Sequence, residues 1–418
     1  MNRTRNDCRR YIAQAAVEYL IAIMVGGSFL ATLTGSLGMS DGLTGVITSF
    51  LSLGCVFQLG TAFTGGPTKR MVLLLSVGNQ LLFALLYVIP LLGGSKLLRT
   101  AGFIAAILLA YFLYNLAAPR KTVWLMSLVD DAERGRFTAK KEIVSLAAGM
   151  AFTYALGAWI DHCRAAGRLH AAFAGGAAGL LALTAVHTAL LARTTAPAEH
   201  QTPAAAKSRL RLPGRAARRA AIALTIWGIA ANLAVPFYGT YQLNELGFSM
   251  TYISVLQIVQ ATARIFVSRA WGAYADRHSF AAMLRRCLLV MACAFLINTF
   301  AAPSNGAVLF LFYNILYGIA MGGLNSALTN LIFDSAPKAE CANALAFSQV
   351  ASGAAGFAAA LAASAVVRWV QGQGSRLLGV TVYAQQLLSL AACAATVAAA
   401  LYIRFAFRRS GAKEAHAE

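Results

Sequence analysis

A single glutamate, Glu18, stands in the apolar stretch Q-A-A-V-E-Y-L, and a single arginine, Arg264, in T-A-R-I-F. Charges in such surroundings are costly in a bilayer and default to a functional role. A carboxylate there can carry a coupled proton or recognise a cation. It can also serve as a structural partner for an arginine or reach toward the inner surface. The planar fork of Arg264 suits an anionic group; it can equally pair with Asp276 or extend to the membrane surface beside Arg269. His187, in A-V-H-T-A, reads as a satisfied helix contact rather than a proton relay. Nothing else resembles a catalytic centre. The only acidic cluster, D-D-A-E at 130–133, has no second Asp-rich partner, and neither a G-x-S-x-G elbow nor a phosphate-cradling glycine loop with lysine is present. The seven cysteines lack C-x-x-C or metal-ligand spacing. No enzyme activity, metal or cofactor is expected.

These residues are carried by elements that composition already constrains. Of 418 residues 59% are apolar and only 12% charged, about half the charge of an average soluble domain. Soluble enzymes, nucleic-acid modules and disordered scaffolds are poorly served by that balance, and the chain reads as an all-α membrane protein. A helix needs about 20 apolar residues to cross the hydrocarbon core. Twelve runs qualify, near 12–36, 42–63, 71–93, 98–118, 141–161, 169–192, 219–246, 250–272, 282–301, 307–331, 343–368 and 380–405. The first continues past the length of a signal-peptide core and reads as a retained span.

The net charge of +20 suggests nucleic acid in a soluble protein, but its distribution says otherwise. With the N-terminus inside, 27 of the 35 Lys and Arg residues fall on the inner side, six outside, and two, Arg264 and Arg269, within a span. That bias places both termini in the cytoplasm of a cell-membrane protein and removes any need for a nucleic-acid partner. Residues 193–218, rich in Pro, Ala and Arg, read as a cytoplasmic linker between N-terminal (1–192) and C-terminal (219–418) six-helix bundles.

The halves repeat. The segment after span four (128–150) aligns with that after span ten (332–354), matching Asp130 with Asp334, Arg134 with Lys338 and Gly149 with Gly353. Such parallel repeats are a transporter signature. The loop after span eight carries Gly272, Asp276, Arg277, Arg285 and Arg286; its N-terminal copy keeps Gly60, Lys69 and Arg70 but lacks the aspartate. With Asp130, Arg134, Gly135 and Arg136 after span four, these loops resemble the gating-loop motifs of the major facilitator superfamily.

The resemblance implies two pseudo-symmetric six-helix bundles and a secondary transporter working by alternating access. It also implies a cavity lined by spans one, four, seven and ten. Beside Glu18 and Arg264, those spans offer Tyr111, Tyr114 and Asn115; Asn232, Tyr238, Tyr241, Gln242 and Glu245; and Tyr313, Asn314 and Tyr317. Amphipathic rings with amides suit a neutral or weakly charged organic solute. Some of these tyrosines could instead belong to an interfacial belt. Pro236 and Gly239 should weaken span seven. Gly272, and the pairs Gly175/Gly179 and Gly318/Gly322, should permit close helix approach within a monomer. The expected partners are a small solute, the lipid bilayer and protons as coupling ion, with Glu18 as the coupling residue. A multidrug exporter using Glu18 and Glu245 is the alternative, and a membrane receptor or membrane-embedded transferase a distant one.

Overall fold

A backbone in lipid finds no water to bond, so an apolar run of membrane length closes its hydrogen bonds along its own axis. The computed structural model describes residues 2–57, 68–129, 134–196, 212–337, 340–377 and 380–407. Among these, ten helices are long and apolar enough to cross a membrane, and a bent pair adds an eleventh. A shorter apolar helical stretch over Asp41–Phe57 occupies the remaining segment. Each of the twelve segments read from the sequence is thus helical over most of its described residues.

Spans one to twelve follow in chain order. Single helices form spans three to six (Lys69–Val88, Lys96–Met126, Arg134–Ala165, Leu169–Arg193) and eight to twelve (Met250–Arg277, Phe280–Asn298, Gly306–Ser335, Cys341–Gly372, Ala384–Ala406). Span twelve starts later than the sequence implied. Gly374 and Ser375, both at positive φ, turn the chain into a small antiparallel ribbon of Arg376–Leu377 against Val380–Thr381.

Three spans are interrupted. Span one, read from the sequence as one helix, is two, Asn2–Met24 and Gly27–Ser36, bent by 42°. Gly27 sits at φ +50°, a left-handed conformation that a side chain makes costly. Span two divides into Asp41–Thr48 and Phe50–Phe57. Span seven runs as a helix over Arg215–Ala234, tightens through Val235–Phe237 and widens into a π-turn at Tyr241–Glu245. Pro236, which has no N–H to give, sits in the tight turn as its sequence position suggested.

The chain divides into two compact units. The first comprises Met1–Ser40, Phe57–Arg209 and Ser249–Ser254; the second comprises Asp41–Val56, Leu210–Phe248 and Val255–Glu418. Without a hydrophobic force between helices in lipid, close backbone approach has to supply the packing. In the first unit the ring of Tyr19 lies where a Cβ on Gly149 would be, and the ring of Tyr87 where one on Gly176 would be. In the second unit Gly45 meets the Phe237 ring and Gly318 the backbone of Gln260, while Gly322 lies against Val267 and the Arg264 carbonyl. The Gly318/Gly322 pair thus seats span ten on span eight. The other expected contacts fail: Gly179 and Gly272 have nothing within 4 Å, and Gly175 makes only ordinary contact with Trp159. Gly176 makes the close approach in span six.

Candidate functional site

Span one is helical at residues 14 to 18, so Gln14 and Glu18, four apart, share one face. That face meets spans three, four and six. Lys121 Nζ lies 2.5 Å from Glu18 Oε2. Gln14 Nε2 donates to the same oxygen at 2.9 Å and stands 2.6 Å from His187 Nε2. On the far side of the imidazole, Gln80 Nε2 is 3.0 Å from Nδ1. Gln14, Gln80, Lys121 and His187 are all buried, His187 completely so. A buried polar chain with a charge at one end is thereby stretched across four helices.

Of this group the sequence had singled out Glu18 as a site candidate and set His187 aside as a helix contact. Lys121 follows Pro119 and Arg120 at the end of an apolar run and reads there as an inner-loop cation. The helix instead continues through Pro119 to Met126, turning Lys121 inward. The glutamate's partner is this lysine, not an arginine. His187 is indeed a bonded helix contact, but its partners are two glutamines from other spans.

In the second unit the helices gather several of the expected aromatic residues. Tyr238 packs edge-on against Tyr313 with centroids 5.2 Å apart and against Phe310 at 5.6 Å. Tyr313 neighbours Tyr317 at 5.4 Å, and Arg264 interacts electrostatically with Tyr317. The Tyr238 hydroxyl shares a 2.8 Å hydrogen bond with Ser389 Oγ, while the buried amide nitrogen of Gln385, one helical turn earlier, has no partner. Such edge-to-face rings with a polar tip form a surface that can hold a flat or weakly polar group.

Other expected residues lie elsewhere. Tyr241 donates to the Ala301 carbonyl at 2.6 Å and so anchors the end of span nine. Asn232 accepts from Ser52 Oγ at 3.0 Å, and Asn314 bonds its own helix at Phe310. Gln242 is buried. Glu245 interacts with Asp41 and Gln371 and with Tyr241. In the first unit Tyr111 packs edge-on with Phe83 at 5.5 Å, Asn115 bonds the Tyr111 carbonyl, and Tyr114 is half-buried in the same helix.

The gating-loop residues are partly described. Asp130 and Gly60 lie outside the described residues; Arg134, Gly135 and Arg136 open the helix Arg134–Ala165. After span eight, Asp276 and Arg277 are exposed. Tyr274 stacks on His278 at 4.1 Å and carries the Arg286 guanidinium 4.4 Å above its ring. Arg285 has a buried Nε without a partner.

Asp161 and Asp41 are among the carboxylates that escaped the sequence reading. Asp161, near the end of span five, accepts from Met250 N (2.9 Å), Thr251 N (2.7 Å) and Thr251 Oγ1 (2.7 Å). It caps a helix start distant in sequence. Asp41 accepts 2.8 Å bonds from Asn244 and Gln371. Among the described residues no group of three His, Cys, Asp or Glu side chains could hold a metal ion.

Comparison with known proteins agrees with this architecture. The family model of the Major Facilitator Superfamily matches residues 13–360. No curated protein matches the chain. Among solved structures, the chain is similar to a mutant form of the nucleoside transporter NupG (14% identity, TM-score 0.72, covering 96% of this chain and 100% of that one). It is also similar to the POT family transporter PepTSo (10%, 0.70, 96% and 97%). A third is a bacterial homologue of the iron transporter ferroportin in its inward-facing state (12%, 0.69, 98% and 99%).

Proposed function

The chain belongs to the major facilitator superfamily, and on that premise we propose that this secondary transporter moves a small organic solute across the cytoplasmic membrane by alternating access, coupled to protons at Glu18. In this reading both termini are cytoplasmic, and residues 193–218 link the bundles 1–192 and 219–418. The protein works as a monomer.

The observation that carries the coupling is the Glu18–Lys121 pair at the head of the buried chain. With Glu18 ionised, each charge satisfies the other. A proton on Glu18 cancels that attraction and leaves a buried ammonium in need of a new partner. The helices bearing the two residues then prefer a different arrangement, and a proton gradient can bias the choice between conformations. The tyrosine cluster of Tyr238, Tyr313 and Tyr317 with Arg264 supports an uncharged or weakly anionic aromatic or polar solute, and the gating loop at 272–286 supports a conformational cycle.

The test uses protein reconstituted in liposomes. A thermal-shift screen first finds the solute, since a ligand that binds the folded state stabilises it. Uptake driven by an inward proton gradient is then compared between the native protein and Glu18→Gln. The reading requires gradient-driven uptake to vanish in Glu18→Gln while solute exchange continues. An unchanged pH dependence removes Glu18 as the coupling site, and the absence of any solute flux in the native protein removes the organic-solute reading.

A further inference from the structure

Gln14, Gln80 and His187 are 2%, 3% and 0% exposed, yet the Oε1 atoms of both glutamines lack a partner. Their amide nitrogens instead face the two nitrogens of one imidazole. A neutral imidazole has one N–H and one bare nitrogen, so it cannot accept at both. Amide oxygen and nitrogen are alike in shape, and the hydrogen-bond network decides which is which.

Here Glu18 decides. Gln14 Nε2 donates to Glu18 Oε2 as well as facing His187, and turning this amide over would aim its oxygen at an ionised carboxylate. Gln14 therefore keeps its nitrogen toward both. His187 accepts at Nε2, carries its proton on Nδ1, and meets the oxygen of Gln80 there. Every contact along the line from Glu18 to Gln80 then sets a donor against an acceptor.

That arrangement is favoured while Glu18 is ionised. A protonated Glu18 keeps one acceptor oxygen but gains a donor, and Gln14 Oε1, buried without a partner, supplies the matching acceptor after a half-turn of the amide. The same half-turn brings Oε1 to His187 Nε2, which must then be an N–H.

We propose that Gln14 and His187 form a proton-sensing switch: protonation of Glu18 turns the Gln14 amide over and shifts the His187 proton from Nδ1 to Nε2. The step balances. Glu18 gains one proton; because the ring is buried, the imidazole exchanges its own proton with water only when the helices part in the transport cycle, taking one at Nε2 and giving up one from Nδ1, so the net uptake is one and the ring stays neutral. Gln80 turns to donate to the bare Nδ1. His187 is a positioning residue that carries the state of Glu18 from span one to spans six and three. The charged and titratable groups facing Glu18 are Lys121, His187 and Tyr11, and those facing His187 are Lys121 and Glu18. The proposal deepens the reading of Glu18 as coupling residue and rests on it.

Solid-state ¹⁵N NMR of imidazole-labelled protein in bilayers tests it, with the His187 signals identified by their loss in His187→Gln. The native protein at alkaline pH should show a protonated Nδ1 and a bare Nε2. In Glu18→Gln, whose amide donates as a protonated carboxyl does, the two should exchange. Adding Gln14→Leu to Glu18→Gln should abolish that exchange. An identical tautomer in the native protein and in Glu18→Gln overturns the switch, as does an exchange that survives Gln14→Leu. If Glu18→Gln does not fold, acid titration of the native protein gives the same readout, and a His187 tautomer constant across it is equally fatal. A tautomer that responds while Glu18→Gln still shows native proton-driven uptake would refute the coupling reading and leave the switch standing.

Discussion

The hydroxyl of Tyr87 in span three donates a 2.7 Å hydrogen bond to the carbonyl of Met24, the last residue of the helix before span one breaks. The broken backbone exposes a polar group inside the membrane, and a side chain from a neighbouring helix answers it. Such compensation is what allows irregular backbone at membrane depth. Tyr87→Phe removes only that oxygen, so it should lower stability by about 1 kcal/mol. A small fall in the thermal midpoint in detergent checks this; a midpoint equal to that of the native protein would mean the Met24 carbonyl finds another donor.

Lys121→Met should destabilise more than Glu18→Gln and Lys121→Met combined, because the single variant strands a carboxylate that the double variant does not. Glu18 keeps 26% side-chain exposure against 9% for Lys121, so the coupling should fall between exposed and fully buried pairs, on the order of 1–3 kcal/mol. A double-mutant cycle on thermal or denaturant unfolding gives the number. Additive single effects would contradict an energetic pair.

Asp161→Ala should expose the first turn of span eight. The aspartate accepts from two backbone amides and one hydroxyl at that helix start, and loss of such a cap costs about 1 kcal/mol. Hydrogen exchange at the amides of Met250 and Thr251 should accelerate roughly five-fold for that energy, with Asp161→Asn intermediate. Unchanged protection in Asp161→Ala would refute the cap.

Gly318→Leu and Gly179→Leu make a matched pair. A side chain at 318 runs into the backbone of Gln260, whereas at 179 it meets nothing within 4 Å. The first should lose about 1–3 kcal/mol through forced backbone movement and the second should be near neutral. Folded yield and thermal midpoint read both, and equal effects would put the close helix contact elsewhere.

The spans were legible because membrane thickness imposes a length that any apolar run either meets or fails. Glu18 was legible for the same reason, as a charge where none is affordable. Lys121 was not, since a lysine at the end of an apolar run reads as a loop residue until the helix is seen to continue past Pro119. Gln14 stands one helical turn before Glu18, and Gln80 and His187 carry no spacing signal at all. They matter only because spans one, three and six meet, and helix neighbourhood is a tertiary fact. Asp161 was hidden likewise, its partners lying 89 and 90 residues on. The proline in span seven announced its break, whereas Gly26–Gly27 lay inside a run so apolar that the interruption passed unnoticed.

The second span joins the unit formed mainly by residues beyond 210, and this sets an order of assembly. Ser52 bonds Asn232, 180 residues later, and Asp41 bonds Gln371, 330 residues later. With synthesis at about 5–20 residues per second, Asp41 waits on the order of half a minute for its glutamine. During that interval a helix whose hydroxyls and glycines are shaped for protein neighbours must stay in lipid or in the hands of the insertion machinery. A nascent chain arrested before span seven therefore holds this helix without Asn232 and Gln371.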